Sequence, residues 1–187
     1  MMYAPLLKSS DVWEPLGAND DESDYYYVVK GNVSIKTLNC FGRVHIILAD
    51  NATMTCTGGI IVQECNNNTH LRIYSESDGN NQGKLIVTNS YSGAAGIGSI
   101  WGENNGTIEI HGGNLDVKGG EYAAGIGAGS CSRSTSTSAG GITIYAGIVK
   151  AEGGDFGAGI GGGRLAHGGI VEFTRMSTNA HVPSLLA

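Results

Sequence analysis

A short glycine-rich motif occurs three times in this chain and constrains its fold more than any other feature. The copies read AAGIGS at 94–99, AAGIGAG at 123–129 and GAGIGGG at 157–163. Their matching glycines lie 29 and then 34 residues apart. The short β-rich runs of the N-terminal part are mostly separated by about eight to fourteen residues, a spacing that suits a sandwich or a barrel. Tandem copies instead favour a solenoid, in which each coil covers the apolar face of the next. The matching motif residues are Gly96, Ile97, Gly125, Ile126, Gly159 and Ile160.

The β-rich segments that follow two of these copies align without a gap. Residues 107–120 read TIEIHGGNLDVKGG and residues 141–154 read GITIYAGIVKAEGG. Apolar and polar residues alternate, which predicts two strands with one buried face and a small-residue corner between them. A third segment begins GGIVEF, and the same alignment places Glu172 at an inward position. The other predicted inward residues are Ile108, Ile110, Leu115 and Val117, and their counterparts Ile142, Ile144, Val149 and Ala151.

Coil stacking also explains why glycine makes up 31 of the 187 residues. Stacked coils lie about 4.8 Å apart, so each tight corner must fit beneath the next, and glycine has no side chain to obstruct it. Residues 157–162 also fit the G-x-G-x-x-G pattern of dinucleotide-binding loops, but the motif recurs and a β-segment follows it, which argues against a nucleotide site. Tyr122 and Phe156 each precede a motif glycine by three residues and are predicted to stack between coils. The motif isoleucines are predicted to point into the core.

The repeats define three predicted regions of the chain. Residues 25–173 are expected to form a β-helix repeat domain, residues 1–24 an acidic connector or cap, and residues 174–187 a tail or cap. The acidic run lies at 20–24, and the repeat pattern is lost after residue 173. An uncapped last coil would present a free sheet edge, which favours edge-to-edge self-association.

Charge and composition exclude several classes of partner. The net charge is −6 with an isoelectric point near 5.2 and no basic stripe, which argues against nucleic acid. No apolar run is long enough for a signal peptide or a membrane span, so we expect no membrane insertion and either a cytoplasmic chain or a piece of a longer exported protein. The four cysteines form no C-x-x-C pair and the histidines lack metal-ligand spacing, so we predict buried thiols, no metal and no cofactor.

Several segments resemble the glycine-rich β-helical repeat modules of bacterial cell-surface and secreted proteins. They include YYYVVKGNVSI, VHIILADNATMTCTGGIIV, AAGIG and GGITIYAGIVKAEGG, and the resemblance spans residues 25–171. It implies an all-β, right-handed parallel β-helix in a single domain. It further implies an adhesin-like or carbohydrate-binding module at the cell surface or outside the cell, within a longer protein and without a catalytic motif.

Candidate ligand-binding residues follow from side chains predicted to face outward. Trp101 lies in the polar loop SIWGENNG beside two asparagines, and an exposed aromatic ring with nearby amides suits a glycan or a host matrix surface. The alternatives are a lyase or glycosidase on the same scaffold and a purely structural spacer. Glu109 and Asp116 are possible paired carboxylates, but Thr143 and Lys150 replace them in the next repeat, so we predict that the chain is not an enzyme. The candidate ligand-binding residues are Trp101, Asn104, Asn105, Glu109, His111 and Tyr145.

Overall fold

Alternating apolar residues produce a succession of short strands throughout the chain. The computed structural model describes residues 5–18, 23–64, 69–132 and 137–174, and within them all regular structure is β. No helix long and apolar enough to cross a bilayer occurs in these ranges. The strands are β1 (Ser10–Gly17), β2 (Asp24–Val29), β3 (Asn32–Phe41), β4 (Arg43–Leu48), β5 (Thr53–Cys56), β6 (Ile60–Ile61), β7 (His70–Ser75), β8 (Lys84–Thr88), β9 (Ile97–Gly98), β10 (Thr107–Ile110), β11 (Asn114–Lys118), β12 (Ile126–Gly127), β13 (Ile142–Ile144), β14 (Ile148–Glu152), β15 (Ile160–Gly161) and β16 (Val171–Phe173).

The strands stack into a parallel β-helix, as predicted. A six-stranded sheet has the order β16-β13-β10-β7-β4-β2, and a ten-stranded sheet has the order β14-β11-β8-β5-β3-β6-β9-β12-β15 with β1 beside β3. All the named strands pair in parallel. A full coil therefore contributes one strand to the smaller sheet and two to the larger, as β10, β11 and β12 do. The right-handed sense of the coil stays a prediction.

The core runs along the axis of the coils as columns of stacked aliphatic side chains. Ile108 pairs with Leu71 on one side and Ile142 on the other, and all three are fully buried. The motif isoleucines Ile97 and Ile126 are also fully buried, while Ile160, in the last complete coil among the described residues, is partly buried against the core. These positions confirm the inward face predicted from the alternation, because every second side chain of a strand faces the same way.

Glycine at the short strands allows the close approach of the coils. Gly127 has a φ of +131°, and a side chain there would overlap the carbonyl of Gly161 in the next coil. A Cβ on the motif glycine Gly125 would lie 2.7 Å from the carbonyl oxygen of Gly159, closer than real Cβ contacts. The role predicted at stacked corners therefore holds for Gly96 and Gly125, whereas a Cβ on Gly159 would instead meet the Ala151 carbonyl of its own coil.

The register predicted for the last repeat segment is wrong by one residue. Glu172 pairs with Thr143 on the outward side, whereas Val171 and Phe173 pair with the inward residues Ile142 and Ile144. The predicted alignment matched Gly168 and Gly169 to the two glycines that precede Ile142. The observed register instead places two apolar side chains, rather than a carboxylate, on the core side. A slip of one residue exchanges the two faces of a strand. Phe173 is nevertheless 73% exposed, because no later coil covers it within the described residues.

The N-terminal strand belongs to the larger sheet. β1 runs parallel to β3, and its Leu16 is buried against the core. The sheet thus extends into the range 1–24, predicted as a connector or cap. Residues 20–22 of the acidic run and residues 175–187 of the tail lie outside the described residues.

Three of the four cysteines are buried free thiols, as predicted. They are Cys40, Cys56 and Cys131, and the fourth, Cys65, lies outside the described residues. Burial raises the pKa of Cys40, and it raises the pKa of Cys56 to about 12. Both thiols therefore stay protonated and unreactive at neutral pH.

Candidate functional site

The corner that precedes each short strand of the larger sheet changes length along the solenoid. Between β5 and β6 it consists of residues 57–59, but between β8 and β9 it consists of residues 89–96. The two later coils keep the long form, at residues 119–125 and 153–159. A long corner cannot stack flat on a short one, so its extra residues project beyond the coil below. This change in length creates a step on the outer surface.

A cleft of about 850 Å³ lies at this step. Trp101 and Tyr91, which are 63% and 58% exposed, line it together with the exposed Ile100. The lining also includes Asn39 of β3 and Ile61 of β6, both largely buried and paired with each other in register. Two aromatic rings that remain exposed in the folded chain are available to contact a ligand.

Hydrogen bonds hold the main chain next to both exposed aromatic residues of the cleft. Asn89 Oδ1 accepts a hydrogen bond of 3.0 Å from the Tyr91 N–H, and the Asn89 amide donates to the Ala95 carbonyl at 2.7 Å. Beyond Trp101, the Gly102 N–H donates to the Ser130 carbonyl of the next coil at 2.9 Å. The backbone under both rings is therefore fixed, which reduces the entropy lost when a ligand binds.

The remaining lining of the cleft combines hydrogen-bonding groups with one charge. Asn39 and Gln63 carry amides, Thr37 and Ser92 carry hydroxyls, and Lys36 carries an ammonium group. A concave, mostly apolar surface with a few polar groups is the usual form of a small-ligand site. Here it can stack a flat ring with C–H groups against the aromatic residues and hydrogen-bond the hydroxyls of that ring.

The structure separates Trp101 from the two asparagines with which the sequence associated it. Asn104 and Asn105 line a different, polar depression of about 270 Å³. Asn105 is only 2% exposed and its amide donates to the Gly106 carbonyl at 2.8 Å, while Asn104 Oδ1 accepts a hydrogen bond of 3.0 Å from the Ser138 N–H. These contacts fix loops, so neither amide lies in the cleft of Trp101.

The other three candidates, Glu109, His111 and Tyr145, meet on the outward face of the six-stranded sheet. His111 stacks on Tyr145 with ring centroids 4.5 Å apart and on Tyr74 with centroids 4.7 Å apart. The stack continues through His45 to Tyr26, with centroid separations of 5.8 and 4.2 Å. Alternating Tyr and His rings thus form an aromatic ladder across five coils. A ring held between two others offers its edge rather than its face to a ligand.

A chain of ion pairs runs beside this ladder. Arg72 Nε lies 2.9 Å from Glu109 Oε2, and His111 Nε2 lies 3.0 Å from the same oxygen. Hydrogen bonds from His111 and Arg72 hold the pKa of Glu109 at about 2. Burial acts to raise the pKa of Asp24, but its contact of 2.8 Å with His45 and the nearby arginines keep that pKa below its ordinary value. Both carboxylates are therefore ionised at neutral pH.

These groups predict that acid destabilises the fold. The pKa of Glu109 falls from 4.5 to about 2 on folding, so its stabilising contribution is complete above about pH 4.5 and is lost as the pH falls towards 2. Burial lowers the pKa of His45 and of His70 below 6.5, so protonation of these rings opposes folding as the pH falls below 6.5. We expect urea denaturation at pH 7, 5 and 3 to give steadily lower free energies of unfolding, with about 2 kcal/mol of the loss at pH 3 coming from Glu109.

Glu109→Gln is the matched test of this pH dependence. The variant has no carboxylate at this position, so its stability should fall less steeply below pH 4.5 than that of the wild type. An equally steep fall in the variant would contradict the assignment to Glu109.

The residues that sequence analysis missed lie where separate coils meet. Tyr91 stands five residues before Gly96, whereas Tyr122 and Phe156 stand three residues before their motif glycines. The predicted stacking of Tyr122 on Phe156 is confirmed, with ring centroids 5.5 Å apart. The longer spacing before Gly96 was a usable signal that this corner differs from the others.

Comparison with known proteins identifies the repeat. A family model described as a beta helix repeat matches residues 108–130 and 142–164. Each matched segment spans one coil, from β10 to β12 and from β13 to β15. No curated protein and no solved structure matches the chain. The chain therefore contains β-helix repeats, and the cleft at Trp101 lies on the coils that precede the two matched segments.

Proposed function

We propose that this protein is a non-catalytic module that binds glycans in the cleft at Trp101. The observation that carries the proposal is the pair of exposed aromatic residues, Trp101 and Tyr91, held on fixed backbone and lining one concave surface. Sugar rings present C–H groups on one face and hydroxyls at their rim. The aromatic residues suit the face, and the amides of Asn39 and Gln63 suit the rim.

The electrostatics favour binding over hydrolysis. A glycosidase needs a carboxylic acid that stays protonated near neutral pH, together with a second carboxylate. Glu109 and Asp24 have lowered pKa values and are held in ion pairs. Among the described residues that line the cleft, none carries a carboxylate. These features support a binding role and argue against the alternative of a glycosidase on the same scaffold.

The fold suits a position at the cell surface or outside the cell. A solenoid grows by adding coils along one axis, so its length can project a binding site from a surface. We therefore propose that the module acts as part of a surface or secreted protein and adheres to a glycan or a host matrix.

A glycan array with Trp101→Ala tests the proposal. The wild-type protein should bind a defined set of glycans, and the variant should bind them at least about 10-fold more weakly, because truncating a central aromatic contact costs about 1.4 kcal/mol or more. Phe156→Ala is the matched control: Phe156 is also an exposed aromatic residue, but it is not in the cleft.

Two outcomes would contradict this function. If the wild type binds no glycan, the binding role is wrong and the spacer becomes the better explanation. If wild-type protein releases reducing ends or unsaturated products from polysaccharides, the module is an enzyme.

A further inference from the structure

Lys36 is the sole charged side chain among the described residues that line the cleft. Resting on the glycan-binding role proposed above, we propose that the cleft selects acidic glycans. A carboxylate or sulfate group of the glycan pairs with Lys36, while an adjacent sugar ring stacks on Trp101 or Tyr91. The site thus combines one cation with two aromatic surfaces.

The ammonium group of Lys36 is available for a ligand. Lys36 is exposed, and it forms no ion pair within the part of the chain that the structure describes. Lysines on the later coils differ: Lys118 pairs with Glu152 at 2.8 Å, and Lys150 pairs with Asp116 at 3.3 Å. Those pairs join equivalent positions of adjacent coils, whereas no carboxylate of the described residues pairs with Lys36.

Lys36 lies at the step in the solenoid, where a short corner stands beside a long one. It lies in β3 where the strand passes from the column of β5 to that of β6, and its carbonyl accepts a hydrogen bond of 2.5 Å from the Gly58 N–H. This backbone contact fixes the base of the side chain at the short corner. The long corner with Tyr91 then projects over the same space, so cation and aromatic ring face one cavity.

The charge of the whole chain shapes the specificity. With a net charge of −6, the protein repels polyanions at long range, and a single cation cannot hold many phosphates. One charge pair beside stacked rings instead suits a short stretch of glycan that carries an isolated acidic sugar. Because a partly exposed pair contributes about 1 kcal/mol, we expect a preference of about fivefold for the acidic form.

Matched pairs of oligosaccharides test this inference. Titration calorimetry would compare a neutral oligosaccharide that carries a single glucuronic acid with its methyl ester, and lactose monosulfate with lactose. At least one acidic member should bind about fivefold more tightly than its neutral counterpart, and added NaCl should reduce the difference. Lys36→Gln should abolish the preference without abolishing binding, and Lys36→Arg should keep it. Lys30→Gln is the control, because Lys30 is exposed but not in the cleft.

The outcomes separate this inference from the function on which it rests. If wild-type protein binds neutral and acidic members of each pair equally, or if Lys36→Gln keeps the preference, selection by Lys36 is wrong while glycan binding stands. If AMP displaces the acidic oligosaccharide and binds more tightly than any glycan, the cleft is a nucleotide site and the inference fails. If no glycan binds at all, the proposed function fails as well.

Discussion

Gly127→Ala is expected to lower the free energy of unfolding by about 3 kcal/mol. Gly127 adopts a φ of +131°, which a residue with a side chain rarely adopts, and its Cβ would overlap the carbonyl of Gly161. Gly127 also pairs with Gly98 of the preceding coil. The backbone at Gly127 therefore cannot move away from Gly161 without disturbing its contact with Gly98. Urea denaturation followed by circular dichroism would measure the loss.

Two other glycines separate the causes of this loss. A Cβ on Gly102 or on Gly141 would meet no atom within 4 Å, but Gly102 has a φ of +81° whereas Gly141 does not lie in the left-handed region. Gly102→Ala should therefore cost about 1 kcal/mol through backbone strain alone, and Gly141→Ala should change stability by less than about 0.5 kcal/mol. If Gly127→Ala is as stable as Gly141→Ala, close coil stacking does not require glycine there.

Ile108→Ala is expected to destabilise the fold by about 3 to 4 kcal/mol. Ile108 is fully buried, and the stacked side chains of Leu71 and Ile142 lie on either side of it. Truncation leaves a cavity inside a column, and the neighbouring coils cannot close it without breaking their own hydrogen bonds. Since each coil is stabilised chiefly by its neighbours, the variant should also unfold less cooperatively, which a lower urea m-value would show.

Ile148→Ala provides the matched control for this core substitution. Ile148 is 58% exposed although it also lies in a strand of the solenoid. Its truncation should cost less than about 1 kcal/mol. Equal losses at Ile108 and Ile148 would contradict the buried column as the main source of stability.

The cleft and the ladder show two ways in which one scaffold uses aromatic residues. In the ladder, His111 is stacked between Tyr74 and Tyr145, so its ring faces stabilise neighbouring coils. At the step, Trp101 and Tyr91 have no described aromatic ring stacked on them, and their faces stay open. Exposed aromatic faces therefore occur where the coils change shape, and stacked rings occur where the coils repeat.

Much of the architecture could be predicted from local pattern. The recurrence of the AGIG motif indicated the coils, and strict alternation at Ile108 and Ile110 identified the inward columns. Both follow from backbone geometry, because the side chains of a strand alternate and equivalent residues of stacked coils lie side by side. The stacking of Tyr122 on Phe156 was predictable for the same reason.

The way in which coils of unequal length pack on one another could be learned only from the tertiary structure. The register of Glu172, the ladder from Tyr26 to Tyr145 and the cleft that joins Lys36 to Trp101 all depend on how one coil lies on another. A repeat pattern specifies which residues are equivalent only while the corners keep the same length. Where a corner lengthens, packing of the apolar columns sets the register, and the extra residues occupy whatever space the shorter coil leaves open.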